Sequence, residues 1–265
     1  MDKVIPKKSL GQHWLRDDKT LTKICEHAEI EVGDFVIEVG PGLGTLTTKL
    51  LDAGADVTAV EFDELLAKKL DEQKLSEKLK VINQDILKFN FENQPKKYKI
   101  VANIPYYLTG RLLRILTDSV NKPELIVLLV QKEVAQRVCA KAGSMSSLSV
   151  WAQMYFDCSL GVEVPAELFD PAPKIDSQVV ILRLLKNSQF EESNKKMLTQ
   201  IISHGFNSKR KTLHNSLASG LSLEKKEVEL ILQKTKLPNN TRPQQLTLSQ
   251  WSQLAKNFTK SLKQV

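Results

Sequence analysis

Phe35-Val36-Ile37-Glu38-Val39-Gly40-Pro41-Gly42-Leu43-Gly44 is the stretch that decides the fold. A short β-branched run is followed by a glycine-rich turn, and Thr45 to Ala53 then continues with helical spacing. Strand, turn and helix in that order open an α/β nucleotide-binding unit, where glycines let the backbone approach a ligand closely. Spacing separates two ligand classes. A dinucleotide fingerprint wants its third small residue at position 45, which is Thr45, and uses the helix N-terminus for a pyrophosphate. Here the pattern is Gly-x-Gly-x-Gly with Glu38 just ahead of it. An acid at that place repels a pyrophosphate and tolerates or attracts a cationic sulfonium or amino group. The turn therefore favours S-adenosylmethionine over NAD.

Three further strand ends carry polar groups. Val57-Thr58-Ala59-Val60 leads to Glu61, 21 residues after Gly40, placed to accept from both hydroxyls of a ribose. Val81-Ile82-Asn83-Gln84 leads to Asp85, placed to accept from an adenine amine of a cofactor. Ile100-Val101-Ala102 leads to Asn103-Ile104-Pro105-Tyr106. Any one of these acids alone reads as a solvated loop residue. Polar groups at 38, 61, 85 and 103, at the C-terminal ends of four successive strands, match the edge where open α/β sheets bind ligands.

The tetrad from Asn103 to Tyr106 suits methylation of an amine. The exocyclic amine of adenine is a poor nucleophile because its lone pair is delocalised into the ring. Two acceptors around its N–H bonds, the Asn103 side-chain oxygen and the Ile104 carbonyl, would draw the nitrogen toward a tetrahedral shape and free that lone pair. Pro105 fixes φ and keeps Ile104 out of the helical region, so the carbonyl is held in a turn. Tyr106 offers a flat face for a base lifted out of its stack. The product can lose its proton after methyl transfer, so no strong general base is required. An isolated Asn-x-Pro-Tyr is more commonly a strand-end turn in which Asn caps and Tyr packs.

The chain has 265 residues, 42% hydrophobic and 26% charged, enough for one large and one small domain. Its longest apolar run, Leu125 to Val130, is far too short to span a bilayer, and Met1 to Lys8 has no apolar signal-peptide core. Cys25, Cys139 and Cys158 lack metal spacing and read as buried thiols of a reducing cytosol; the histidines give no zinc pattern. The expectation is a cytoplasmic protein without metal or membrane, with nothing demanding a dimer. The formal charge of +7 is unevenly spread. Residues 186–265 hold 14 Lys and Arg against 5 Asp and Glu, +9, which leaves −2 for the rest. A module that holds a polyanion beside a separate catalytic domain has this asymmetry. Its densest part, Lys209-Arg210-Lys211, cannot share one helix face and so spreads around a turn, where it can meet several RNA phosphates; a solvated helix surface is the alternative.

Strand-like and helix-like stretches alternate from about residue 35 to 140, the pattern of a parallel sheet. Strands are predicted at 35–39, 57–60, 81–83, 100–102 and 124–130, a helix at 147–155, and a closing antiparallel pair at 157–164 and 177–184. Between that pair, Phe169-Asp170-Pro171-Ala172-Pro173-Lys174 is an extended loop stiffened by two prolines. Phe169 reads either as a clamp on the face of the base opposite Tyr106 or as an aromatic packed under the loop. Lys7-Lys8 reads as a solvated tail. The polar stretch from Lys186 to Asn194 reads as a connection between a domain at 1–187 and one at 188–265.

Lys8-Ser9-Leu10-Gly11-Gln12-His13-Trp14-Leu15, the turn from Glu38 to Thr47, the Asn-Ile-Pro-Tyr tetrad, Phe169 to Ser177, Phe206 to Leu217 and Thr241-Arg242-Pro243 together resemble the KsgA/RsmA family. These are the small-subunit ribosomal RNA adenine dimethyltransferases, and the resemblance runs from about residue 7 to the C-terminal end. It implies an α/β, Rossmann-like, seven-stranded methyltransferase domain with a small all-helical C-terminal domain. It implies S-adenosylmethionine as donor, and as acceptors two adjacent adenosines near the 3′ end of 16S ribosomal RNA, within the small subunit or its precursor. Carried over by position, residues 1–16 cover the cofactor through Gln12, His13 and Leu15. Gly40 then meets its amino-acid end, Glu61 its ribose and Asp85 its adenine, and Asn103 borders cofactor and target. The chain has His13-Trp14 where the family often has Asn-Phe, and Tyr107 where it often has Asn. A large-subunit adenine methyltransferase of the macrolide-resistance type, or a ribosome-assembly factor for which methylation is secondary, are the alternatives.

Overall fold

Five parallel strands form the centre of the structure, a computed structural model that describes residues 6–7, 10–188, 190–208 and 210–262. The elements run β1 (Trp14–Leu15), α1 (Asp18–His27), β2 (Phe35–Val39), α2 (Thr45–Asp52), β3 (Asp56–Glu61), α3 (Glu64–Glu72), β4 (Leu79–Asn83), β5 (Lys99–Asn103), α4 (Thr109–Asp118) and β6 (Leu125–Gln131). They continue with α5 (Lys132–Val138), α6 (Ser147–Tyr155), β7 (Phe156–Val164), β8 (Phe169–Asp170), β9 (Ser177–Leu184), α7 (Lys195–Phe206), α8 (Leu213–Leu221), α9 (Lys225–Lys234) and α10 (Leu248–Leu262). The expected strands and the helix at 147–155 are all present, with ends shifted by at most two residues.

The seven-stranded sheet has the order β4-β3-β2-β5-β6-β9-β7. Strands β4, β3, β2, β5 and β6 pair in parallel, and β9 is antiparallel to β6. The order reverses at β2, whose neighbours β3 and β5 lead away in opposite directions, so a crevice opens beyond the C-terminal ends of these strands. Near-continuous burial along β2, β5 and β6 explains why β5 and β6 read as apolar runs rather than alternating ones, and why β2 reads as one interrupted only by Glu38. Helices α1 and α2 contribute Leu21, Ile24, Leu46 and Leu50 to the core against Val36, Val57, Val101 and Val127. At the N-terminal edge of the sheet the buried Lys99 is matched by Asp34 at 2.7 Å.

A separate two-stranded pairing joins β1 to β8, with Trp14 opposite Asp170 and Leu15 opposite Phe169. The loop expected at 169–174 thus begins as a strand, because Leu15 and Phe169 both enter the core and their backbones need partners there. The reading of Lys7 as a solvated tail is also corrected, since its ammonium group pairs with Asp63 at 2.7 Å. Lys8 lies outside the described residues.

Contacts divide the chain into two units, residues 1–136 with 157–184 and residues 137–156 with 185–265. Helix α6, read from the sequence with the sheet, groups here with the C-terminal helices, and Leu185 N donates to Tyr155 O at 2.8 Å within that unit. In the same unit α7, α8, α9 and α10 surround Ile201, Leu217, Leu232, Trp251 and Phe258, all buried. Phe206 stacks on Trp251 with centroids 5.5 Å apart. An added Cβ at Gly220 would run into the His204 ring, so α7 and α8 can pack closely only with glycine there.

Candidate active site

The glycine turn after β2 forms one wall of a cavity at the C-terminal edge of the sheet. Gly40, Gly42 and Gly44 have φ of 66°, 59° and 81°, a region that L side chains adopt at a cost. Open space lies where Gly40 would carry a Cβ, whereas at Gly42 an added Cβ would stand 3.2 Å from the Trp14 indole. Trp14 therefore lies over the turn, and its indole N–H is buried without a partner among the described residues.

Glu38 is 1% exposed and lines this cavity, and its Oε2 has no hydrogen-bond partner among the described residues. Burial pushes its carboxyl up to about 8; the nearby Thr47 hydroxyl opposes the shift and the Glu61 charge adds to it. Thr47 Oγ1 acts through proximity only, since it too lacks a hydrogen bond of good geometry. A buried carboxylate oxygen with no donor is costly unless a ligand supplies one.

Glu61 ends β3 and is 6% exposed. Its Oε2 accepts from Gly42 N at 3.0 Å and its Oε1 from Asp63 N at 2.8 Å. It therefore shapes the glycine turn, and each oxygen retains a second lone pair for a hydroxyl. Burial raises its carboxyl pKa above the usual range against those two backbone bonds. Asp85 is half-buried on the cavity wall, with Oδ1 accepting from Leu87 N at 2.9 Å. These carboxylates fit a ligand rich in cationic, amine and hydroxyl donors, and disfavour a phosphate.

The Asn-Ile-Pro-Tyr turn forms the opposite wall. Asn103 Nδ2 donates to the His13 carbonyl at 3.1 Å, which fixes the amide and turns Oδ1 away. Among the described residues, neither Asn103 Oδ1 nor the Ile104 carbonyl oxygen has a hydrogen-bond partner. Pro105 O accepts from Leu108 N at 3.0 Å, so the chain enters a helical turn just after Ile104. The Tyr106 hydroxyl lies 2.9 Å from Ser177 Oγ, which holds the ring at the cavity.

The N-terminal segment covers the cavity and is tied down at two places. Gln12 accepts from Lys7 N at 2.7 Å and donates to Asp63 at 3.4 Å; Asp63, the N-cap of α3, also accepts from Leu65 N at 3.1 Å. On the other side Leu15 is buried in the β1–β8 pairing. The cavity thus brings together Gln12, His13, Leu15, Gly40, Glu61, Asp85, Asn103, Ile104, Pro105 and Tyr106, as the sequence placed them. Phe169 is not among its lining residues: it is 5% exposed and sits in the core, the second of the two expected arrangements. Arg210 and Lys211 are exposed in the α7–α8 turn; Lys209 lies outside the described residues.

Sequence reasoning did not single out Asp63, Ser177 or Arg111. Asp63 had a usable signal, an aspartate just before an apolar-periodic segment. Ser177 and Arg111 join the site only through the tertiary fold.

A glycine turn, acids at three strand ends and the sheet order define the class, a Rossmann-like methyltransferase. A solved dimethyladenosine transferase from Plasmodium falciparum shares the fold with a TM-score of 0.78 at 26% identity, covering 94% of this chain and 98% of that one. The 23S rRNA methyltransferase ErmE gives a TM-score of 0.72 at 28% identity, covering 93% and 99%. The ribosomal small-subunit methyltransferase A of Lactobacillus helveticus is 37% identical over 95% of this chain and 91% of its own length. Its counterpart in Nostoc is 37% identical over 95% and 97%. The model of the ribosomal RNA adenine dimethylase family matches residues 5–260, and the chain belongs to that family. Among the described residues no helix is long and apolar enough to cross a membrane.

Proposed function

We propose that the chain transfers methyl groups from S-adenosylmethionine to N6 of two adjacent adenosines near the 3′ end of 16S ribosomal RNA, giving N6,N6-dimethyladenosine. It does so as a cytoplasmic monomer acting on the small subunit or its precursor. The observation that carries the reading is the pair of acceptors without a partner among the described residues, Asn103 Oδ1 and Ile104 O, on adjacent residues that line the cavity. Two free acceptors on one turn suit an NH2 group, with its two N–H donors, better than a carbonyl or phosphate as the reacting group.

When bound, S-adenosylmethionine supplies an electrophilic methyl group. Glu38 offers the unpartnered Oε2 to its cationic amino-acid end beside Gly40, Glu61 accepts from its ribose, Asp85 from its adenine, and Gln12, His13 and Leu15 close over it. Asn103 and Ile104 polarise the target N–H bonds, and Tyr106 stacks the base. Phe169 would reach the other face of the base only by leaving the core. Lys209, Arg210 and Lys211 hold RNA phosphates. The 37% identity to relatives named for the small subunit, against 28% to the 23S enzyme ErmE, favours the small-subunit target.

Equilibrium binding of S-adenosylmethionine to the purified protein, followed by labelled methyl transfer to adenine of small-subunit RNA, tests this reading. A protein that binds small subunits but not the cofactor would be an assembly factor instead.

A further inference from the structure

Beyond Asn103 the target turn runs through Tyr106–Leu108, a short 3-10 turn, into α4. Successive side chains of such a turn leave it about 120° apart, so the two neighbouring tyrosines face different ways. The Tyr106 ring is half-buried and its hydroxyl lies 2.9 Å from Ser177 Oγ. Tyr107 is 57% exposed, lines the same cavity, and has no hydrogen-bond partner among the described residues. Gly11 stands against its ring at φ 62°, where a Cβ would come 3.7 Å from Cε1, so at that point the N-terminal segment adds no side chain to cover it. One helical turn on, at a spacing that puts Cβ atoms roughly 5–6 Å apart, Arg111 is exposed and also lines the cavity. It forms no ion pair among the described residues, whereas Arg114 on the same helix is matched by Asp118 at 2.7 Å. Among the described residues that line the cavity, Arg111 is the one Lys or Arg, against Glu38, Glu61 and Asp85. An aromatic ring left in water beside a cation left without an acid suits a ligand with a flat face and a negative charge.

We propose that Tyr107 and Arg111 form a subsite for the RNA nucleotide next to the adenosine being methylated, with Tyr107 stacked on its base and Arg111 on the phosphate that joins the two. Lifting one base out of a single strand uncovers the face of its neighbour. A second aromatic beside the one that receives the target covers that face again, and the strand is held with its two bases splayed. The guanidinium, planar and always charged, suits a phosphate, and the three carboxylates of the same cavity leave it the one group there that favours the RNA backbone. Stacking reads no hydrogen bonds, so the subsite takes an adenosine before or after its own methylation, as two adjacent targets require. Asparagine, frequent at position 107 in the family, offers no such face, so the platform belongs to this chain. This inference rests on the methyl-transfer reading above.

A binding cycle tests it, with S-adenosylhomocysteine present so that no methyl group moves. One short single-stranded RNA carries an adenosine with a base on either side, and a second has abasic flanks. The wild type should bind the first about tenfold more tightly, the worth of one stacked base. Tyr107→Leu should erase most of that preference, and Tyr107→Phe should keep it. Arg111→Gln should weaken both RNAs and lower the slope of log affinity against log salt by about 0.7, the share of one phosphate on a single strand. A wild type indifferent to the flanks, a preference that survives in Tyr107→Leu, or an unchanged slope in Arg111→Gln overturns the subsite. So does a Tyr107→Leu variant that loses affinity for S-adenosylmethionine and for both RNAs alike, the mark of a loosened N-terminal segment. The methyl-transfer reading fails separately. A wild type that binds S-adenosylmethionine and methylates no RNA refutes that reading, while the binding cycle still decides whether Tyr107 holds a nucleotide.

Discussion

Replacing Glu38 with Gln keeps the shape of the side chain and removes its ionisation, and the effect on stability has a definite sign. In the folded protein burial holds the carboxyl at about 8, against its ordinary value of 4.5. Between those values the folded chain keeps a proton that the unfolded chain releases, so stability falls as pH rises through that window. The loss is complete above about 8. At about 1.4 kcal/mol for each tenfold in proton affinity, the full difference is roughly 5 kcal/mol. Relative to Glu38→Gln, the wild type should lose about 4 kcal/mol between pH 5 and pH 9, roughly a third of it between pH 7 and pH 9. Urea denaturation of both proteins across this range measures it, and subtracting the two curves removes every other titrating group. A difference that is flat with pH, or a wild type that gains on the variant as pH rises, refutes the reasoning. Since a cationic ligand at Oε2 favours the ionised form, wild-type affinity for S-adenosylmethionine should also rise toward pH 8, and that of Glu38→Gln should not.

Asn103→Ala should abolish methyl transfer and leave RNA binding nearly intact; RNA affinity that falls in step with the rate would count against its role at the target amine. Gly42→Ala places a Cβ at φ 59° and 3.2 Å from Trp14, so it should cost about 1 kcal/mol or more in stability and weaken cofactor binding, both measurable by thermal denaturation with and without ligand. Charge reversal across Lys209, Arg210 and Lys211 should weaken RNA binding and flatten its salt dependence, and an unchanged slope would place the RNA elsewhere. Trp251→Ala, at a residue fully buried against Phe206, should cost about 3–5 kcal/mol in equilibrium unfolding.

The parallel sheet was legible because buried strands are near-continuous apolar runs: Ile100 to Ala102 and Leu125 to Val130 are unbroken, and Val36 to Val39 is interrupted only by Glu38. Glu61 and Asn103 were legible for the same reason, since a polar residue that closes such a run lies at its end, whereas Asp85 follows the half-exposed strand β4 and was legible only by its place after a third strand. The β1–β8 pairing was not. Trp14-Leu15 and Phe169-Asp170 are two-residue strands with no periodicity to read, joined only because the fold brings position 15 opposite 169. Phe169 shows the same limit, as one aromatic flanked by prolines reads equally as clamp or core. His13 entered through resemblance alone, and the carbonyl that meets its ring lies 158 residues away.

The most direct test of the account is to supply unmethylated small ribosomal subunits and labelled S-adenosylmethionine to the purified protein and map the modified nucleotides. The expected result is two adjacent adenosines near the 3′ end of 16S ribosomal RNA, each carrying two methyl groups on N6. Methylation confined to large-subunit RNA, or found at a ring nitrogen rather than N6, would contradict it.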